Sequence, residues 1–94
     1  MIKVKAVIYL YKHRGRKTSF TNGYRPAFSF NQNDDEYLMG NIELIHSEEF
    51  ALGTLGEVFI TFNSDKYLKV GRTFSINEPP NEIGEGEILE IINV

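Results

Sequence analysis

Ile2-Lys3-Val4-Lys5-Ala6-Val7-Ile8-Tyr9-Leu10 decides the class of fold. Ile2, Val4, Ala6, Ile8 and Leu10 fall on one side of a period of two, with Lys3 and Lys5 on the other, which is the pattern of a half-buried strand and not of a helix. Val7, Tyr9 and Tyr11 make the second face apolar at the far end, so this strand is expected to be central and covered there.

The same alternation recurs downstream. Tyr24, Pro26, Phe28 and Phe30 alternate with Arg25, Ala27 and Ser29 as a second strand, and Pro26 belongs at its start or edge because proline has no amide to donate. Gly40 to Ile45 reads as a third strand. Val58, Ile60 and Phe62, set against Phe59 and Thr61, form a fourth, closed by Asn63-Ser64-Asp65. After Tyr67 to Val70 and Gly71 comes a fifth, Arg72 to Glu78, with Phe74 and Ile76 in phase; Pro79-Pro80-Asn81 ends it, since two successive prolines cannot continue a ladder. Glu82 to Ile92 is the sixth, where Gly84 and Gly86 are read as a bulge or bend. Between these strands, Lys12 to Gly23 reads as a long loop, Asn31 to Tyr37 as an acidic turn, and His46 to Gly56 as a loop carrying the apolar Phe50-Ala51-Leu52.

No segment sustains a 3.6-residue period with caps, so no helix longer than a turn is expected. Six strands with turns at short intervals predict an all-β fold, and closure into an antiparallel barrel would remove exposed sheet edges. The 94 residues hold one core, so residues 1–94 are expected to form a single domain. An aromatic content of 13%, from seven Phe and five Tyr, favours sheet. With no Cys there is neither a disulfide framework nor a thiolate site. The N-terminus lacks a signal-peptide apolar region, and no stretch reaches the ~18 apolar residues of a membrane helix, so a soluble, cytoplasmic protein that engages no membrane is expected.

The net charge of −3 is unevenly laid out: Lys3, Lys5, Lys12, Arg14, Arg16, Lys17 and Arg25 precede all thirteen acidic residues. Two readings stay open. The basic third can form a patch for an anionic partner, or its charges can meet acids across the sheet.

Three stretches in order carry a family resemblance. Gly15-Arg16-Lys17-Thr18-Ser19-Phe20-Thr21-Asn22-Gly23-Tyr24-Arg25-Pro26-Ala27-Phe28-Ser29-Phe30, then Gly40 to Ile45 followed by Gly56-Glu57 and the apolar Val58 to Phe62, then Gly71-Arg72-Thr73-Phe74-Ser75-Ile76-Asn77-Glu78 with Ile83-Gly84-Glu85-Gly86-Glu87-Ile88, resemble the C-terminal barrel of translation elongation factor Tu over nearly the whole chain. The resemblance implies a six-stranded antiparallel closed β-barrel standing alone, a part of the factor that contacts tRNA, its own GTPase domain and an exchange factor. There is no phosphate loop, so no nucleotide is expected. Glu78 matches the acidic residue of the family's Glu-Gly-Gly turn, while Pro79 and Pro80 stand for its two glycines and Ala27 for its glutamine.

No catalytic, metal or cofactor residues are expected. His13 and His46 lack a spaced ligand pattern, Asp34-Asp35-Glu36 lacks the alternating ligands of a calcium loop, and Glu85, Glu87 and Glu90 suit the solvent face of the last strand. The expected function is non-catalytic binding of a protein partner, within translation, through Arg14, Arg16, Lys17, Asn22, Tyr24, Arg25 and Glu78. Structured-RNA binding through the basic loop 12–25, and an accessory or immunity role that mimics the elongation-factor barrel, are the alternatives.

Overall fold

Eight strands run through the computed structural model, which describes residues 1–30 and 36–92: β1 (Ile2–Leu10), β2 (Phe20–Thr21), β3 (Ala27–Ser29), β4 (Leu38–Leu44), β5 (Glu49–Phe50), β6 (Leu55–Phe62), β7 (Thr73–Glu78) and β8 (Asn81–Ile92). The acidic turn expected at Asn31 to Tyr37, including Asp34 and Asp35, lies outside the described residues up to Asp35. Six strands close into an antiparallel barrel in the order β1-β6-β4-β3-β7-β8, and β2 pairs with β5 in a separate two-stranded sheet. Among the described residues no helix is long and apolar enough to cross a membrane.

β1 is the keystone of the barrel, paired along one edge with β6, from Ile2↔Phe62 to Tyr9↔Leu55, and along the other with β8, from Lys3↔Ile92 to Leu10↔Gly84. Its period of two sends Val4, Ala6, Ile8 and Leu10 inward, all fully buried. Ile42, Val58, Ile60, Phe62, Ile76, Ile83 and Ile88 meet them from the other strands. Phe28 plugs the interior edge-on to Phe62 and Phe74, with ring centroids 5.1 and 5.4 Å away, a geometry that sets the positive edge of one ring against the negative face of the next.

On the outside of the β1-β6-β4 wall, Lys5 pairs with Glu57 at 3.3 Å. Lys3 reaches across the Phe59 ring to Glu43 at 3.2 Å. On this wall the early basic residues meet later acids across the sheet, as the second of the two charge readings has it.

Three expectations are corrected or refined. The loop from Lys12 to Gly23 contains β2, held to β5 by the stacked rings of Phe20 and Phe50 at 5.3 Å; two-residue strands leave no periodicity to read. The second strand contracts to Ala27–Ser29 because Pro26, Ala27 and Phe28 are all buried, which breaks the alternation, and Tyr24 keeps only an isolated bridge to Ile42. Of the two bulges of β8, one adjoins Gly84 and the other lies away from Gly86. Register moves from Ile76↔Gly84 to Asn77↔Glu82, leaving Ile83 extra, and from Lys5↔Glu90 to Ala6↔Ile88, leaving Leu89 extra. Pairing extends the starts of β4, β6 and β8 by one to three residues beyond the expected limits, while β4 ends and β7 begins one residue inside them.

Gly84 and Gly86 also serve close packing. A Cβ on Gly84 would lie 2.5 Å from the Tyr9 carbonyl oxygen, and one on Gly86 2.6 Å from the Val7 carbonyl and 2.7 Å from Phe74 Cζ. A backbone carbonyl cannot swing aside as a side chain can. Gly84→Ala is therefore expected to destabilise the barrel by about 2–3 kcal/mol, at the upper end for overpacking, read as a lower guanidinium chloride midpoint; an unchanged midpoint would show that β8 can move off β1.

Candidate functional site

The turn between β7 and β8 carries a carboxylate on each flank, Glu78 and Glu82, and each takes a tyrosine and an arginine from the first third of the chain. Glu78 accepts from the Tyr24 hydroxyl and from Arg16 Nη1. Arg16 in turn donates from Nε to the Thr18 carbonyl at 3.0 Å and from Nη2 to the Ser19 carbonyl at 3.0 Å, and its guanidinium lies 4.7 Å from the centre of the Tyr24 ring. Glu82 accepts from the Tyr11 hydroxyl, with Arg14 Nη2 3.9 Å away and its guanidinium over the Tyr11 ring at 4.3 Å. The arrangement pins both ends of the 12–23 loop to one turn. Charge-assisted bonds of this kind are stronger than neutral ones.

Burial, followed by the bond to Glu82, pushes the Tyr11 hydroxyl up to about 12. Burial, followed by the bond to Glu78, also holds the Tyr24 hydroxyl well above its ordinary value. Both groups bind their protons more tightly folded than unfolded. Their contribution to stability is complete below the ordinary tyrosine value of 10.0 and is lost as pH rises toward 12 and beyond.

The seven residues expected to bind a partner separate into two groups. Arg16, Tyr24 and Glu78 are bonded to one another, and Arg16 keeps only 19% of its side chain exposed. Asn22 lends its Oδ1 to the Leu44 amide at 2.8 Å, fixing the loop to the end of β4. Arg14 is spread over Tyr11 yet mostly exposed. Lys17 and Arg25 are exposed and have no acidic partner among the described residues.

Exposed Arg25 borders a depression of about 270 Å³ formed by Tyr24, Pro26, Met39, Glu78 and Pro79, with Ala27, Tyr37 and Asn77 completing it. Met39 is 46% exposed and Tyr37 43%. These two were missed in the sequence, where the legible signal was a methionine on the outward phase beside the inward Gly40 and Ile42. Ala27 and Pro79, where the chain departs from the elongation-factor pattern, line the same depression. There they present carbon and, at the proline, no amide donor.

His13 and His46 are exposed on separate loops, and among the described residues no three His, Asp or Glu side chains gather as a metal site. No protein-family model matches the chain.

Replacing Glu78 by Gln removes the charge that Arg16 and Tyr24 share. The variant is expected to lose about 1–2 kcal/mol, and Tyr24 should ionise at lower pH in an ultraviolet alkaline titration; a tyrosinate curve identical to the parent's would show that burial alone raises Tyr24.

Proposed function

We propose that the protein is a non-catalytic binding module that docks on a protein partner, and that the docking surface is the Arg25-rimmed depression. The observation that carries this is an arginine without an acidic partner beside exposed Met39, Tyr37 and Pro79. An apolar floor with an arginine at its rim is the composition of an interface hot spot, where a buried anchor side chain supplies affinity and a charge fixes its orientation. The complementary ligand is a segment that presents an apolar side chain next to a carboxylate. The resemblance to the elongation factor Tu barrel supports a partner in the translation machinery.

The same surface suits phosphate poorly. Arg16, the most central cation of the loop, is occupied by Glu78, and the depression offers carbon and proline where RNA would need donors.

The test is recovery of ribosomal and elongation-factor proteins on the immobilised protein from a cell extract, with and without nuclease. A specific translation protein should be retained after nuclease treatment, and Arg25→Glu with Met39→Asp should weaken its binding by more than about tenfold. Loss of the partner on nuclease treatment, with affinity falling steeply as salt rises, would replace the protein reading with an RNA one.

A further inference from the structure

We propose a second docking surface, on the outer face of β1, β8 and β7, that takes an extended basic segment of a protein. The register lays two outward rows across these strands. Tyr9 lies beside Glu85 and Glu85 beside Ser75; Val7 lies beside Glu87 and Glu87 beside Thr73. These rows line a concavity of about 750 Å³, flanked by Leu55 on β6 and by Tyr37 beyond β3. It is separate from the Arg25 depression, although Tyr37 and Asn77 border both.

Glu82, which also lines the concavity, is paired with Arg14, but Glu85 and Glu87 are not paired among the described residues. On the adjoining β1-β6-β4 wall Glu43 and Glu57 are each closed by a lysine, whereas Glu85 and Glu87 meet no cation within ion-pair distance among the described residues. Each stands in its own row, so the outer face of β8 carries two like charges about 7 Å apart.

An independent feature points to the same surface. Asn77 is only 7% exposed, and its Nδ2 is given to Ser75 Oγ at 3.0 Å and to the Ala27 carbonyl at 3.5 Å. Its Oδ1 accepts from no group among the described residues and, not being fully buried, is open toward the two depressions that the residue borders. Water satisfies this acceptor in the free protein, and a peptide N–H can take the water's place.

Spacing selects the ligand. Glu85 and Glu87 are two residues apart on a strand, about 7 Å, and an extended peptide repeats its own side chains at that interval. A segment with lysine or arginine at alternate positions therefore sets a cation on each carboxylate, with the Tyr9 and Tyr37 rings available to the same cations.

The probe is an acetylated, amidated hexapeptide alternating lysine with threonine, titrated at low salt into the isotopically labelled protein while amide resonances are followed by NMR. Saturable shifts are expected at Val7, Tyr9, Thr73, Ser75, Glu85 and Glu87, fading at high salt. Glu85→Gln with Glu87→Gln should weaken the peptide by about fivefold, whereas Arg25→Glu should leave it unchanged, so this surface and the Arg25 depression fail or stand separately. The corresponding glutamate peptide should not bind, a comparison that needs no variant to fold. Shifts centred elsewhere, equal affinity for the Gln variant, equal binding of the glutamate peptide, or no saturable shift at all would each overturn the proposal.

Discussion

Everything in this molecule depends on β1 being bonded on both edges. A sheet becomes a barrel only when its first and last strands meet, and here that seam is the β1–β8 ladder. The seam requires the two backbones to come so close that Gly84 and Gly86 cannot carry side chains, and Phe74 fills part of the room they leave. Two extra residues, Ile83 and Leu89, let β8 bend around the closure while Ile83 and Ile88 still point inward. Closure in turn brings the β7–β8 turn beside the start of the 12–23 loop, since Tyr11 follows directly on β1 and donates its amide to the Ile83 carbonyl at 2.9 Å.

The candidate surface is a product of that meeting. Glu78 and Glu82 fasten the loop through two tyrosine and arginine pairs, so charges that look free in a list of residues are divided between structural and available ones. Arg16 is committed to the fold. Arg25, one residue from Tyr24, is exposed without an acidic partner among the described residues and stays available beside an apolar depression. A cation serves recognition only where the fold has not already neutralised it.

Most of the fold was legible because the barrel wall obeys one rule. Wherever a strand has one buried face and one wet face, as in β1, β4 and β6, alternation alone located it. The reading weakened where both faces are covered, as at Pro26, Ala27 and Phe28, and failed for β2 and β5, which are too short for a period and are held by ring stacking between distant residues. The glycines of β8 were read as a bulge or bend, which one bulge beside Gly84 meets, but their close packing was not read, since a contact with the Tyr9 carbonyl is a fact of tertiary closure that no local pattern encodes. For the site, the basic loop and Glu78 were visible as charges. That Arg16 and Glu78 consume each other was not visible, because the two lie 62 positions apart. Met39 and Tyr37 were missed since exposure of an apolar side chain is a property of the folded surface.

The position of β1 also sets the order in which the molecule can be completed. Its two partners are β6 and β8, which lie in the second half of the chain, and the pairing of Lys3 with Ile92 joins residues near opposite ends of it. During synthesis the first strand can therefore be paired along one edge only after β6 has emerged, and along the other only after β8. Topologies dominated by such distant pairings fold slowly. Lys3 and Lys5, which close ion pairs on the finished barrel wall, alternate with the apolar residues of β1, and lysine on an unpaired strand disfavours joining the wrong ladder.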